Sequence, residues 1–187
     1  WVAAPRAWWM FLSFGYANVK VLDGGLKKWT QEGRPTHSGK VTPKPGKFTA
    51  KLYPSYIRSQ QQVLANIDTR AEQLVDARPR GRFEGTVPEP RPESRSGHIP
   101  GSRNVPYAEL FDAKTGAMKP LEELRQAFSG AGVDMTKPIV TTCGSGVSAL
   151  VLTLALYRLG VRGTALYDGS WSEWGLPDGP PIATGPA

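Results

Sequence analysis

The sequence predicts an α/β fold in which a parallel sheet carries helices on both faces. The first observation is a set of four short β-prone runs: QLVDAR (73–78), NVPY (104–107), PIVTT (138–142) and ALYD (165–168). The second is that helical stretches separate these runs, so each strand is joined to another by a crossover, which makes the strands parallel. Functional groups of such sheets lie beyond the carboxyl ends of the strands.

The helices are expected from the spacing of apolar residues. Four runs have this spacing: PRAWWMFLSFG (5–15), YIRSQQQVLAN (56–66), LEELRQAFSGAG (121–132) and LVLTLALYRLG (150–160). Three of them end in glycine, which is a common residue at a helix C-terminus. In the run at 56–66, we expect Ile57, Val63 and Leu64, together with Ile67 just after it, to lie on one side.

Composition and charge narrow the function classes. The chain has 187 residues, of which 40% are apolar and 21% charged, as is typical of a globular protein. Its net charge of +7 is spread among prolines, glycines and acidic residues, which favours small anionic substrates over nucleic acid. No apolar stretch is long enough for a membrane span. A single cysteine cannot form an internal disulfide, so a reducing compartment is expected.

Two segments repeat each other along the chain. VLDGGLKKW (21–29) and LYDGSWSEW (166–174) share Asp, Gly and Trp at an offset of 145 residues (166 − 21), and the helices before them align at the same offset. A β-prone run, NVKVLDG (18–24) or GTALYDG (163–169), precedes each copy's tryptophan. The first copy has almost no chain before it, so we expect the sequence to be the later part of a two-domain protein.

The chain is accordingly expected to divide into three parts. Residues 1–34 would be the remnant of a first domain, and residues 57–187 a complete second domain. Between them, residues 35–56 contain many prolines and glycines and no apolar periodicity, which is typical of a linker.

The only cysteine, Cys143, opens a glycine-rich loop between the run at 138–142 and the next helix. Backbone N–H groups at the start of a helix lack partners within the helix and can point together at an anion. Such a nest stabilises a thiolate, and it also stabilises the larger anion of a persulfide. The alternative is a buried structural cysteine, a common fate of free thiols. The loop context favours a nucleophilic Cys143.

Four motifs make the chain similar to the rhodanese-fold sulfurtransferases. VDARPRGRFEG (75–85) and SGHIPGSRNVP (96–106) resemble the two signature segments of rhodanese domains. CGSGVSA (143–149) resembles the CGSGVTA loop of the mercaptopyruvate-using branch, with Ser148 in place of Thr, and YDGSWSEW (167–174) resembles the closing segment. The resemblance covers the whole chain. It implies a catalytic rhodanese-like domain over 57–187, preceded by the tail of a non-catalytic one.

The resemblance also implies the chemistry and its residues. Sulfur would pass from 3-mercaptopyruvate to Cys143, releasing pyruvate, and then to thioredoxin or a small dithiol. Ser145 is expected to assist, together with groups of the missing N-terminal rhodanese domain. The expected substrate-binding residues are Arg82, Arg91, Gly144, Gly146, Val147 and Ser148. No cofactor or metal and no nucleic-acid or membrane partner is expected, and the location would be cytoplasmic or mitochondrial.

Donor choice is expected to follow the charge of the loop. Thiosulfate-using members resemble CRKGVTA, in which two cations hold an inorganic dianion, whereas Gly144 and Ser145 are neutral. Arg82 and Arg91 would instead pair with a carboxylate, for which the guanidinium fork is well suited. Ala149 stands where related phosphatases have a phosphate-binding arginine, which argues against phosphate chemistry. Two alternatives stay open: a thiosulfate:cyanide sulfurtransferase, and a relay module that carries persulfide without turnover.

Several polar and aromatic residues of the motifs are predicted to be structural. Asp76 and Arg78 are expected to pair with each other, and His98 is expected to be fixed by backbone hydrogen bonds. Trp171 and Trp174 are predicted core and wall residues.

Overall fold

A computed structural model describes residues 2–187. Its centre is a five-stranded sheet with the order β1-β5-β4-β2-β3. The strands are β1 (Ile57–Arg58), β2 (Gln73–Asp76), β3 (Arg103–Asn104), β4 (Ile139–Thr142) and β5 (Ala165–Tyr167). All four neighbouring pairs are parallel, so the predicted parallel α/β sheet is confirmed.

Helices cover both faces of the sheet. In chain order they are α1 (Ala4–Ser13), α2 (Gly25–Gln31), α3 (Gln60–Thr69), α4 (Arg80–Glu84), α5 (Leu121–Gly130), α6 (Ala149–Arg158) and α7 (Ser170–Trp174). Successive strand residues point to opposite faces, and they join two separate cores. Ile139 packs in the core that contains α1, α5 and α6, whereas Val140 packs in the core that contains α3 and α7.

The expected helix at 56–66 was wrong in its position. Ile57 and Arg58 pair with β5 as a short strand, and α3 begins only at Gln60. A capping box sets this start: the Ser59 N–H donates to Gln62 Oε1 at 2.8 Å, and the Gln62 N–H donates to Ser59 Oγ at 3.3 Å. Because the box satisfies N–H groups that a helix leaves unpaired, it fixes the helix at this point.

Of the β-prone runs, one forms a shorter strand than predicted and another forms none. Of NVPY, only Asn104 lies in β3, and Tyr107–Leu110 forms a 3₁₀ turn. Pro106 intervenes and has no N–H to continue a ladder. The run at 18–24 contains no strand, because among the described residues no strand pairs with it.

The ends of α1 and α6 have the same geometry. Gly15 (φ +88) and Gly160 (φ +91) adopt the left-handed conformation. After them, the Tyr16 N–H donates back to α1 and the Val161 N–H donates back to α6, at 2.8 and 2.9 Å. This is the Schellman motif, in which glycine avoids a steric cost. The sequence repeat is therefore matched by a local structural repeat at these two ends.

Helix α1 packs directly on α6 and shares its core. Trp8 and Trp9 are buried in that core, and the Trp8 ring meets Tyr157 edge-on with centroids 5.1 Å apart. Helix α6 is buried at every position from Ala149 to Leu156, because it lies between the sheet and α1. This packing brings the first helix of the chain close to the loop that precedes α6.

Candidate functional site

Cys143 directly follows β4, the middle strand of the sheet. The sequence therefore placed it correctly at the carboxyl end of a parallel strand. Its residue surface is only 1% exposed, and it packs in the core beneath α6. The thiol thus combines the loop position of a nucleophile with the burial of a core residue.

Helix α7 holds the first half of the loop through its backbone. The Trp171 N–H donates to the Cys143 carbonyl, and the Ser172 N–H donates to the Gly144 carbonyl, each at 2.9 Å. A trans peptide is planar, so its N–H points opposite to its C=O. The N–H groups of Gly144 and Ser145 therefore point away from α7.

These loop N–H groups are available to a ligand. Among the described residues, none accepts a hydrogen bond from the backbone N–H groups of residues 144–148. Adjacent unpaired N–H groups in front of a helix form an anion-binding concavity. This geometry supports the expected nest.

Ser170 supports the cysteine from below. Its Oγ accepts a hydrogen bond from the Cys143 N–H at 3.3 Å and donates to the Tyr167 carbonyl at 2.9 Å. Ser170 is fully buried and has φ +50, an uncommon angle for a residue other than glycine. Strained residues persist where their surroundings fix them, frequently at functional sites.

A cleft of about 470 Å³ opens beside the loop. Its walls are formed by Val2, Arg78, Pro79, Arg82, Pro90, Arg91, Tyr107, Gly144, Ser145, Val147 and Ser148. Six of the eight expected site residues therefore line one cavity. Cys143 lies buried at the start of the loop, and Gly146 packs against Asp168.

The two expected carboxylate-binding arginines differ in their surroundings. Arg82 donates from Nε to Glu89 Oε1 at 3.1 Å and from Nη2 to Glu89 Oε2. Arg91 is exposed, and among the described residues none accepts a hydrogen bond from its guanidinium or pairs with it. Among the described residues, the guanidinium of Arg91 thus has no partner, whereas that of Arg82 is already paired with the Glu89 carboxylate.

Glu89 joins Arg82 to a buried ion pair. Its side chain is 3% exposed and also accepts from Arg78 Nη1 at 2.8 Å. Arg78 also donates to Asp76 Oδ2, from Nε at 2.9 Å and from Nη2 at 2.7 Å. Burial opposes the charge, but Asp76 and Glu89 together raise the pKa of Arg78 above its ordinary value. The predicted structural pair is confirmed as part of a larger network.

His98 is fixed by the backbone, as predicted. Its Nδ1 lies 2.9 Å from the Phe83 carbonyl, and its own N–H and C=O pair with Ala183. Burial lowers the pKa of His98, although its hydrogen bond to Phe83 opposes the shift. The nearby charges are Asp76, Arg78 and Glu84.

Trp171 and Trp174 are both core residues. They are almost completely buried, and their indole N–H groups donate to the Arg95 and Pro181 carbonyls, each at 2.9 Å. Neither lines the cleft, so the structure favours the core part of the prediction over the wall part.

The sequence did not identify four residues that hold the site together: Arg6, Glu89, Asp168 and Ser170. Glu89 stands in VPEPR, between the two arginines, and Asp168 belongs to the repeated Asp-Gly pair. These were available signals. Arg6 had none, because its contacts lie on segments far away in the chain.

Among the described residues, no group of His, Cys, Asp and Glu is arranged to hold a metal ion. No helix in the described part of the chain is long and apolar enough to cross a membrane.

The fold and site define a parallel α/β domain with one cysteine at the start of a loop whose backbone N–H groups have no acceptor among the described residues. Residues 59–176 match the Rhodanese-like domain family, and the chain belongs to this family.

Similar proteins include sulfurtransferases named for 3-mercaptopyruvate and sulfurtransferases named for thiosulfate. The chain is 46% identical to the mouse 3-mercaptopyruvate sulfurtransferase over 92% of its own length and 58% of that protein's. It is also 46% identical to the bovine thiosulfate sulfurtransferase, over 91% and 58%. The chain therefore spans somewhat more than half the length of these relatives.

A solved structure supports the assignment of the fold. The structure of SseA from Escherichia coli, described as a 3-mercaptopyruvate sulfotransferase with the rhodanese fold, is 42% identical and has a TM-score of 0.78. The match covers 92% of this chain and 63% of that one.

Proposed function

We propose that this chain carries the catalytic domain of a sulfurtransferase, in which Cys143 holds the transferred sulfur as a persulfide. The observation that supports this most strongly is the loop itself. The only thiol stands at the end of the middle strand, beside five consecutive backbone N–H groups that find no acceptor among the described residues. Such a loop suits a residue that becomes a large sulfur anion.

In the first half-reaction, the Cys143 thiolate attacks the sulfur of 3-mercaptopyruvate. A sulfur–sulfur bond forms, the carbon–sulfur bond breaks, and its electron pair leaves on carbon as the pyruvate enolate, which then takes up a proton. The loop N–H groups stabilise the sulfur anion. Ser145 is exposed and lines the cleft, and its hydroxyl can donate to the enolate oxygen.

Arg91 is the better placed of the two arginines to bind the donor's carboxylate. It lines the cleft beside the loop and has no competing partner among the described residues. Glu89 binds Nε and Nη2 of Arg82, and among the described residues none accepts a hydrogen bond from Nη1. Arg82 therefore adds a second, oriented donor rather than a complete clamp.

In the second half-reaction, a thiol acceptor attacks the outer sulfur of the persulfide. Cys143 leaves as a thiolate, and the acceptor now carries the sulfur. A dithiol such as reduced thioredoxin can then close its own disulfide and release hydrogen sulfide. The arginines that line the cleft are compatible with an anionic donor. They do not identify the thiol acceptor.

The division into a first-domain remnant at 1–34, a linker at 35–56 and a catalytic domain at 57–187 is part of the proposal. So are a first domain that completes the active site and a location in the cytoplasm or mitochondrion.

The function is tested by donor turnover and by replacement of the thiol. Purified protein should release pyruvate from 3-mercaptopyruvate when a dithiol is present. Without the dithiol, Cys143 should gain the mass of one sulfur atom. Cys143→Ser should abolish both, because a hydroxyl fills the same buried space but is a poor sulfur nucleophile. Sulfur loading without steady-state pyruvate release would favour a relay module instead.

Thiosulfate is the second candidate donor, because a thiosulfate sulfurtransferase is as similar in sequence as the mercaptopyruvate enzymes are. The neutral loop predicts that mercaptopyruvate is preferred in side-by-side rates. Replacing Gly144 with Arg and Ser145 with Lys should move the preference towards thiosulfate. An unchanged ratio of the two kcat/KM values would show that the loop does not set donor choice.

A further inference from the structure

Arg6 connects the first helix to the cysteine loop. Its Nη1 donates to the Gly146 carbonyl at 3.3 Å and to Asp168 Oδ1 at 2.5 Å, and Nη2 donates to Asp168 Oδ2 at 3.4 Å. The guanidinium also lies over the ring of Trp9, 5.2 Å from its centroid. Trp9 is 3% exposed and packs in the same core as α6, so its ring gives the guanidinium a fixed surface to pack on.

The contact with Gly146 sets the direction of the next N–H group. The Gly146 carbonyl and the Val147 N–H belong to one planar trans peptide and point in opposite directions. With the carbonyl held by Arg6, the Val147 N–H points away from Arg6, and Val147 lines the cleft. Asp168 also crowds this peptide, since a Cβ at Gly146 would lie 2.6 Å from its Oδ1 and 2.8 Å from its carbonyl.

The 146–147 peptide is held differently from the 143–144 and 144–145 peptides. The carbonyls of Cys143 and Gly144 are held by backbone N–H groups of α7, which every substitution except proline leaves in place. The carbonyl of Gly146 is held by a side chain, and that side chain comes from a helix 140 residues away in sequence. One of the N–H groups of the nest therefore depends on the docking of α1.

We propose that Arg6, fixed by Asp168, is a positioning residue for sulfur transfer: it orients the 146–147 peptide so that the Val147 N–H contributes to the anion-binding loop. The proposal rests on the proposed role of that loop. Val2, just before α1, forms part of the cleft wall, so the same helix contributes to the shape of the cleft and to the direction of one of its donors.

The test compares Arg6→Gln with Arg58→Gln. Arg58 forms a similar ion pair with Glu72, in which both side chains are 21% exposed, and it lies in β1, outside the cleft. For each variant we would measure kcat and KM with 3-mercaptopyruvate, the rate of Cys143 alkylation by iodoacetamide between neutral and alkaline pH, and the thermal midpoint. Alkylation requires no sulfur donor, so it tests the loop even if 3-mercaptopyruvate is not the substrate.

Arg6→Gln should lower kcat by roughly tenfold or more, since loss of one donor to a developing anion commonly costs more than that, with a smaller change in KM. It should slow alkylation at neutral pH but not at alkaline pH, where the thiolate forms without help. Arg58→Gln should stay within about twofold of the original protein in both assays. Arg6→Lys should give an intermediate kcat, because one ammonium replaces a fork that reaches two acceptors.

Equal kcat and equal alkylation profiles for Arg6→Gln and Arg58→Gln would overturn the proposal. A loss of kcat that merely follows the fall in thermal midpoint, with an unchanged alkylation profile, would also overturn it. If Arg6→Gln does not fold, Asp168→Asn provides a similar comparison, because it removes the charge and one of the two acceptors that fix the guanidinium while leaving α1 unchanged. Failure of the unaltered protein to use 3-mercaptopyruvate would count against the proposed donor and not against this role of Arg6.

Discussion

Replacement of Gly146 by alanine tests how tightly the cysteine loop is built. Gly146 has φ +72, a conformation that costs an L-residue about 1–2 kcal/mol. Its new Cβ would also lie 2.6 Å from Asp168 Oδ1, 2.8 Å from the Asp168 carbonyl and 3.3 Å from Arg6 Nη1. Because a backbone atom cannot move aside as a side chain can, the loop itself has to shift.

Gly163 provides a control for the conformational part of the cost. Its φ of +74 is almost the same, and a Cβ there would meet nothing within 4 Å. Gly163→Ala should therefore lose only about 1–2 kcal/mol. Gly146→Ala should lose about 1–3 kcal/mol more, which is the usual cost of overpacking.

Thermal unfolding and turnover distinguish the two variants. For a chain of this length, about 2–4 °C of Tm corresponds to each kcal/mol. We expect Gly163→Ala to lower Tm by about 2–8 °C with activity within about twofold, and Gly146→Ala to lower it by about 4–20 °C with at least roughly tenfold loss of kcat/KM. Equal Tm shifts together with equal activities would refute the argument that the loop is packed against Asp168.

Three further predictions concern the cleft and its support. Arg91→Ala should lower kcat/KM for 3-mercaptopyruvate by roughly ten- to a hundredfold, because a hydrogen bond to a charged group contributes about 1.5–3 kcal/mol. Iodoacetamide alkylation of the thiol, which needs no carboxylate, should be unchanged. Glu89→Gln should destabilise the fold by about 3–5 kcal/mol, since it leaves the buried Arg78 without one of its two carboxylates. His98→Asn should flatten the acid side of the curve of unfolding free energy against pH. Burial lowers the pKa of His98 in the folded protein below its ordinary value of 6.5, so the unfolded chain takes up the proton first as the pH falls. The stability contributed by neutral His98 is therefore complete above pH 6.5 and is lost as the pH falls through the pKa of the folded state.

Each of these has a contrary result. Alkylation that falls in step with turnover in Arg91→Ala would mean that the arginine acts on the thiol or on the fold. A stability loss below about 1 kcal/mol in Glu89→Gln, measured by urea unfolding, would show that Arg78 is satisfied without it. If the unfolding free energy falls equally with decreasing pH in the original protein and in His98→Asn, His98 is not the source of the pH dependence.

Much of the fold was accessible to sequence reasoning because its signals are local. The run PIVTT, the thiol after it and the helix that follows are contiguous, so the strand, loop and helix could be placed in order. The start of α3 was misplaced because a capping box at Ser59 outweighs the apolar spacing of Ile57. The run at 18–24 has β propensity, but a strand also needs a neighbour with which to pair, and propensity does not report one.

The support of the site could not be predicted in the same way. Arg6 and Asp168 lie 162 residues apart, and each alone has the appearance of an ordinary surface residue. The role of Glu89 depends on its burial between Arg78 and Arg82, which the sequence does not show. The left-handed conformation of Ser170 is imposed by its hydrogen bonds to the Cys143 N–H and the Tyr167 carbonyl, which only the folded chain contains.

The burial of α6 has a consequence for amide hydrogen exchange. Its residues from Ala149 to Leu156 are buried, and hydrogen-bonded amides in such helices, here from Leu150 onwards, exchange only when the molecule opens widely. The amides of residues 144–148, immediately before it, have no acceptor among the described residues and should exchange quickly. Slowly and quickly exchanging amides are therefore expected next to each other in the chain. Loading sulfur onto Cys143 would slow only the fast ones, so deuterium uptake over five residues would record the state of the thiol.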